Sequence, residues 1–464
     1  MTSRSAVRAA AVAMVVLLTA TVTNVPAASA IAPPSVDPGS VPPDAPPGPE
    51  QPMRQSNECA HTMAAAEPNV SLPNPGFAML NITTAWQYST GRGISVALID
   101  TGVNPSPRLP VVAGGDYITG GDGLTDCDAH GTIVASLITA APVPAPGAPD
   151  GVAGVAPDAT LISIRQSSRA YEPHYRRGGA DGAALKKAGT VATLARAIVH
   201  AANLGAAVIN VSVTACVSAA DPLDQRAIGA AVWYAATVKN AVIVAAAGNA
   251  NEDGCPQNPA PDPTTARGLR DWTHVKTVST PSWFSDYVLS VGAVDTTGAP
   301  IATSLAGPWV GVAAPGVNIV GLSPQNGMPV NAYPPARPGE RSVPFWGTSF
   351  SAAYVSGVAA LVRAKFPALS AHQVINRILH TAHHPPGGVD NQVGYGVVDP
   401  VAALTFNVPA GDLVAPGALT RILTPLPPPP PPDRRAHTVA VAFAGSIAGS
   451  VLLGALIARA RRAR

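Results

Sequence analysis

The 464-residue chain carries 12% charged and 47% hydrophobic residues, 43 Gly, 50 Pro, and a net charge of +2 from nearly balanced acids and bases. That length allows one large domain with appendages, or two ordinary domains. The charge balance argues against a broad nucleic-acid-binding face, and an aromatic content of 5% leaves the core to Val, Ala, Leu and Ile.

At the N-terminus, Arg4 and Arg8 accompany an apolar run over 9–18, too short to span a bilayer, and Ala28-Ser29-Ala30 offers small residues for cleavage. Residues 1–30 therefore read as an export signal, with an uncleaved anchor as the alternative. Residues 31–77 form an arm, and its Pro-rich first part, 31–55, is expected to be extended and solvated. The four cysteines, Cys59, Cys127, Cys216 and Cys255, lack CxxC spacing. In an exported chain they favour disulfides over a zinc site, with free buried thiols as the alternative. Of the three pairings four cysteines allow, Cys59–Cys127 and Cys216–Cys255 are expected. The first would pin the arm, and the second would close a loop of roughly forty residues.

From 78 to 404, strand-like and helix-like runs alternate, which predicts an α/β domain with a mainly parallel sheet and crossover helices. Strands are expected at 94–99, 206–213, 241–246 and 287–294. Helices are expected at 191–203, 227–238, 349–366 (stopped by Pro367) and 371–380, the last capped by Ser370. Residues 166–189, 251–280 and 323–344 read as surface loops. A linker over 405–437 contains the run Pro427 to Pro432, a semi-rigid polyproline spacer.

Residues 439–458 carry no charge over 20 positions, enough to cross a bilayer as a helix assigned to 438–458. Arg459, Arg461, Arg462 and Arg464 follow it, against Arg434 and Arg435 before it. The positive-inside bias then puts the tail, 459–464, in the cytoplasm and the large domain outside, as a single-pass protein of the cell membrane.

Three short motifs carry chemistry. Asp100 follows an apolar strand in Ile99-Asp100-Thr101-Gly102, at the strand end where α/β sheets place their sites. His130-Gly131-Thr132 opens an apolar run, so its imidazole would be exposed at one end and held by packing at the other. Ser349, in Gly347-Thr348-Ser349, opens a long Ala-rich helix whose free N–H groups and positive dipole end favour developing negative charge. Each motif alone is weak. Together they stand in the order Asp, His, Ser, which is the chain order of subtilisin. Asp126 and Asp128, close before His130, are expected to be solvated or local capping groups. No metal and no cofactor is expected, because no carboxylate and histidine spacing compels one.

On these motifs, together with residues 151–157, Ala247-Gly248-Asn249 and Ala313-Ala314-Pro315-Gly316, the chain resembles a subtilase over 78–404. The resemblance implies a subtilisin-like three-layer fold and a serine endopeptidase acting on proteins or peptides. It implies that Ser349 is the nucleophile, His130 its base, Asp100 the orienting acid and Asn249 the side-chain oxyanion donor. Val211, Ser212 and Val213 fall where substrate would lie as an extended strand. Phe350 and Tyr354 stand where most subtilases carry Met and Pro. The short arm also differs from a long cleavable propeptide. Signal, arm with Cys59, domain, proline linker, membrane helix and Arg-rich tail together resemble the mycosins. That implies a type VII secretion membrane complex and secreted effectors as partners, and a stabilising role that does not require proteolysis.

Overall fold

Apolar runs of the sequence become the strands of one parallel sheet. The structure is a computed structural model that describes residues 31–143, 150–174, 188–220, 224–252, 254–260, 270, 272–418 and 435–462. Its strands are β1 (Ser95–Asp100), β2 (Val111–Asp116), β3 (Thr160–Arg165), β4 (Val208–Val211), β5 (Val242–Ala246), β6 (Val288–Val294) and β7 (Val310–Pro315). They lie in the order β7-β6-β5-β4-β1-β3-β2, each neighbouring pair parallel. Parallel strands need long crossovers, and these cover both faces with helices. Every residue of β4, β5, β6 and β7 is accordingly buried.

The longer helices of the domain are α1 (His130–Thr139), α2 (Val191–Asn203), α3 (Arg226–Trp233), α4 (Thr348–Lys365) and α5 (Ala371–Thr381). The two-residue period of the strands sorts them to opposite faces. Val96, Leu98, Val208, Val242 and Val244 face α1, α4 and α5, whereas Ala97, Ile99, Ile209, Ile243 and Ala245 face α2 and α3. The result is the three-layer, subtilisin-like arrangement. Helix α4 is buried from Thr348 to Arg363, as an Ala- and Val-rich helix without a polar face must be. Ser370 caps α5 by accepting from the Gln373 N–H, and Gln373 returns the bond.

The Pro-rich part of the arm, 31–55, lies against the domain, half-buried to exposed, and does not stand free in solvent. Val36 and Val41 pack on the α2–α3 side of the core. Asp44 meets His200 Nδ1 at 2.8 Å and accepts from Asn203 at 2.8 Å. Glu50 accepts from the Thr190 hydroxyl at 2.8 Å, with Arg196 at 3.7 Å. Met53–Gln55 pairs antiparallel with Tyr171–Pro173, inside the expected 166–189 loop. Proline lowers the chain entropy lost on ordering, so two valines and two acids facing α2 are enough to hold the arm down.

Two further loop expectations change. Within 323–344, Pro329–Val330 pairs with Gly321–Leu322, and Val343–Pro344 pairs with Ala332–Tyr333. Buried Asn331 staples this region to the arm, donating to the carbonyls of Ala65 at 3.0 Å and Pro68 at 2.7 Å. Within 251–280, the buried strand Thr277–Thr280 pairs with Ala215–Ser218, and a disulfide joins Cys216 to Cys255 beside it. A second disulfide joins Cys59 to Cys127. The folded unit runs past 404 to Ala418, since Val414, Ala415 and Ala418 pack beside α3 and Trp233 Nε1 donates to Ala418 O at 3.2 Å.

A separate unit contains α6 (Arg435–Arg462), of which Ala442–Arg462 is long and apolar enough to cross a membrane. The expected export signal and the Pro427 to Pro432 run lie outside the described residues. Replacing both Cys216 and Cys255 by Ser should reduce the free energy of unfolding by about 2–4 kcal/mol. Guanidinium denaturation of the purified protein under non-reducing conditions measures it.

Candidate active site

Strand β1 lies between β4 and β3, so its last residue, Asp100, emerges near the middle of the sheet's C-terminal edge. Asp100 is 1% exposed and its Oδ1 accepts the Thr101 N–H at 2.7 Å. The same oxygen lies 2.7 Å from His130 Nδ1. His130 is the first residue of α1, entered through Ala129 in the left-handed region at φ 65°. Two glycines permit this approach. A Cβ on Gly131 would fall 2.0 Å from Gly102 O, and one on Gly102, itself at φ 96°, 2.1 Å from Thr125 O. The His130 side chain remains 28% exposed, leaving an edge accessible. Burial acts to lower its pKa, but the charge and hydrogen bond of Asp100, with Asp126 behind it, hold it above the ordinary 6.5.

Ser349 is the second residue of α4, which starts after Gly347. Its hydroxyl donates to Ser212 O at 3.1 Å, and among the described residues no hydrogen bond joins it to His130. Such contacts commonly tighten only when substrate is bound. The neighbouring Phe350 ring lies 5.3 Å from the His130 ring, so the start of α4 and the start of α1 meet at the site. An aromatic row continues from Phe350 through Phe345, at 6.3 Å, to Tyr333, at 4.9 Å. The segment expected as a surface loop therefore backs the imidazole.

Asn249 follows β5 and Gly248. Its Oδ1 accepts from the Thr348 N–H at 3.0 Å and the Thr348 hydroxyl at 3.1 Å. The carboxamide is thereby oriented, with Nδ2 available beside α4's first turn and only a long contact, 3.5 Å, to Glu252. Thr348 is thus a positioning group that sequence reasoning did not single out.

Of the three expected substrate-wall residues, Val211 is fully buried in the α2–α3 core and presents no side chain to the groove. Ser212 contributes its carbonyl to Ser349, and Val213 is partly exposed. Strand β4 is central in the sheet, so this segment is a strand end rather than part of a sheet edge. Asp128 accepts from Ser168 and the Arg169 N–H. Asp126 is only 5% exposed and accepts the Thr132 and Asp128 N–H groups, so of the two expected alternatives it is a local cap and not a solvated group. Burial pushes its carboxyl up to about 6, against hydrogen bonds from Thr132 and Thr101.

Tyr354, where most subtilases carry Pro, is fully buried, and its hydroxyl donates to Asn74 Oδ1 at 2.8 Å. Asn74 caps Pro75–Met79 through the Gly76 N–H and donates to Val320 O at 3.2 Å. Helix α4 is thereby fastened to the segment through which the arm enters the domain.

Comparison with known proteins supports this reading of the geometry. The model of the subtilase family matches residues 91–396. Mycosin-2 of Mycobacterium tuberculosis is 55% identical, over 100% of this chain and 99% of that protein. Mycosin-1 of Mycolicibacterium smegmatis is 47% identical over 95% of this chain and 96% of its own. Among solved structures, MycP1 from Mycobacterium smegmatis superposes with a TM-score of 0.78 at 47% identity, covering 86% of this chain and 100% of that one. A chain of an intact ESX-5 inner membrane complex matches with a TM-score of 0.76 at 50% identity, covering 92% of this chain and 99% of that one.

Tyr354→Phe removes one buried hydrogen bond at the root of α4 without changing its packing. It should lower stability by about 1–2 kcal/mol, read as a lower denaturation midpoint with an unchanged m-value.

Proposed function

Because this chain belongs to the subtilase family of serine proteases and, within it, to the mycosins, we propose that Asp100, His130 and Ser349 are its catalytic triad. The observation that carries the proposal is the 2.7 Å contact of His130 Nδ1 with buried Asp100. It directs the other ring nitrogen away from Asp100, toward the start of α4. Ser349 Oγ, turned from Ser212 O toward Nε2, attacks the scissile carbonyl as its proton passes to His130. Asp100 stabilises the imidazolium. The oxyanion takes the Ser349 N–H and Asn249 Nδ2, at the positive end of α4. Collapse of the adduct breaks the C–N bond, and His130 returns the proton to the leaving amine. Water then hydrolyses the acyl-enzyme by the same route in reverse. Ser212 and Val213 would lie beside the extended substrate.

The protein is, on this reading, a membrane-anchored endopeptidase. Residues 1–30 direct export, 78–404 carry catalysis, the chain between the folded unit, which ends at Ala418, and 437 acts as a spacer, 438–458 cross the cell membrane and 459–464 stay in the cytoplasm. Its partners would be a type VII secretion membrane complex and proteins secreted by it. The relationship to a chain of the ESX-5 inner membrane complex and to MycP1, described as an essential component of the ESX-1 system, supports this assignment. The same relationship favours a second reading, in which the chain chiefly stabilises such a complex. Restoration of secretion by Ser349→Ala in a deletion strain would establish that second role, and failure of restoration would establish the need for catalysis.

Ser349→Ala should abolish labelling by a fluorophosphonate and all peptide hydrolysis above background, and equal labelling of both proteins would refute the triad. Asn249→Ala should retain labelling but lower kcat by about 10²–10³, the loss known for the corresponding donor of subtilisin.

Protonated His130 cannot accept the Ser349 proton, so hydrolysis is lost as pH falls through its titration. The acid limb of kcat/KM should therefore have a midpoint above 6.5, as read from a pH–rate profile of the free enzyme.

A further inference from the structure

The triad leaves one buried carboxylate beside it unused. Asp126 Oδ1 accepts from the Thr101 hydroxyl at 2.9 Å and the Asp128 N–H at 3.1 Å, while Oδ2 accepts from the Thr132 N–H at 2.8 Å and the Thr132 hydroxyl at 2.7 Å. Its main partners flank the triad: Thr101 follows Asp100, and Thr132 lies in the first turn of α1 after His130. The Thr101 oxygen in turn accepts the Gly131 N–H at 2.9 Å. Helix α1 begins after Ala129, which makes no side-chain cap. Its free N–H groups are therefore satisfied by Asp126 directly and by the end of β1 through Thr101. A carboxylate in that place also suits the positive end of the helix.

We propose that Asp126 is a positioning residue of the triad, a buried carboxylate that ties the end of β1 to the start of α1, fixes His130 against Asp100, and adds its charge in support of the imidazolium. The inference deepens the protease reading and rests on it. The charged and titratable groups around His130 come from several elements. Asp100 from β1 and Asp126 from the turn before α1 favour the protonated ring, and Arg169 from the segment after β3 opposes it. Tyr333, whose phenol burial keeps neutral, faces Asp126, Asp100 and Asp128 from the hairpin side, and α4 offers the uncharged Phe350. The charge of Asp126 acts to raise the pKa of the imidazole, alongside that of Asp100. Its influence on the imidazole is therefore electrostatic as well as geometric.

Asp126→Asn keeps the size of the side chain but removes its charge and one acceptor. In the full chain carrying Ser349→Ala, His130 is titrated by NMR; adding Asp126→Asn should lower its midpoint by about 0.5–1 unit. In the active background, kcat per fluorophosphonate-titrated site should fall at least about tenfold with KM little changed. Asp126→Glu should restore the midpoint but not the full rate. An unchanged midpoint together with an unchanged normalised kcat for Asp126→Asn overturns the inference. If that variant does not fold, Thr132→Val, which keeps the carboxylate and deletes one of its bonds, should reduce normalised kcat about two- to fivefold at an unchanged midpoint. Wild-type kcat in Thr132→Val would then overturn it. Absence of labelling and turnover in the wild type would refute the protease reading instead, while the His130 titration still judges Asp126.

Discussion

The 2.7 Å contact of His130 with Asp100 joins a strand end to a helix start, and much of the domain's design follows from keeping those ends together. A buried carboxylate without a partner is costly, and Asp100, 1% exposed, meets that demand at Oδ1, which takes both the Thr101 N–H and the imidazole, while Oδ2 has no hydrogen-bond partner among the described residues. The approach is close enough that Gly102 and Gly131 admit no Cβ. Both glycines of the two motifs are therefore steric requirements of the juxtaposition. The central position of β1 supplies rigidity, because neighbours on both sides hold its register.

The second constraint is the placement of α4, which brings Ser349 and its free N–H to the same sheet edge. The helix is anchored along its length by buried polar contacts. Thr348 bonds Asn249, Ser356 donates to Asn210 Oδ1 at 2.8 Å, and Tyr354 donates to Asn74. Asn210 also donates to the Ser212 hydroxyl at 2.7 Å, and its bond from Ser356 fastens β4 to α4. Each bond contributes modestly, but leaving any of these groups buried without a partner costs more than the bond is worth. The arm takes part in this framework through Asn74, Asn331 and the Cys59–Cys127 disulfide. It acts as a strap over a finished domain and closes against the turn that holds Asp126.

Much of this was legible in the sequence, and the exceptions have definite causes. Strands β1, β4, β5 and β6 are mainly apolar runs, and the pattern that marks them as buried is local. Strand β2 reads Val-Val-Ala-Gly-Gly-Asp and β7 carries Gly311 and Pro315. Gly and Pro argue locally against a strand, and here pairing with β3 and β6 overrides that argument. The arm looked solvated because its partners, Arg196, His200 and Asn203, lie some 150 positions away. Asp126 reads as a solvated or a capping group because its neighbours are polar, and its place a few residues before an uncapped helix is the local signal for the capping role it takes. Asn249 stood out by its motif. Thr348, which orients it, did not, since a threonine before Ser349 reads as part of the helix start.

The central claim is that Asp100 holds the Nδ1 proton of His130 in a short hydrogen bond that fixes the imidazole for Ser349. Proton NMR of the full chain, between about pH 5 and 8, tests it directly. A strongly downfield Nδ1–H resonance, assigned to His130 by His130→Ala, is expected to survive in Ser349→Ala and to disappear in Asp100→Ala. Absence of that resonance from the wild type throughout this range, or its persistence unchanged in Asp100→Ala, would contradict it.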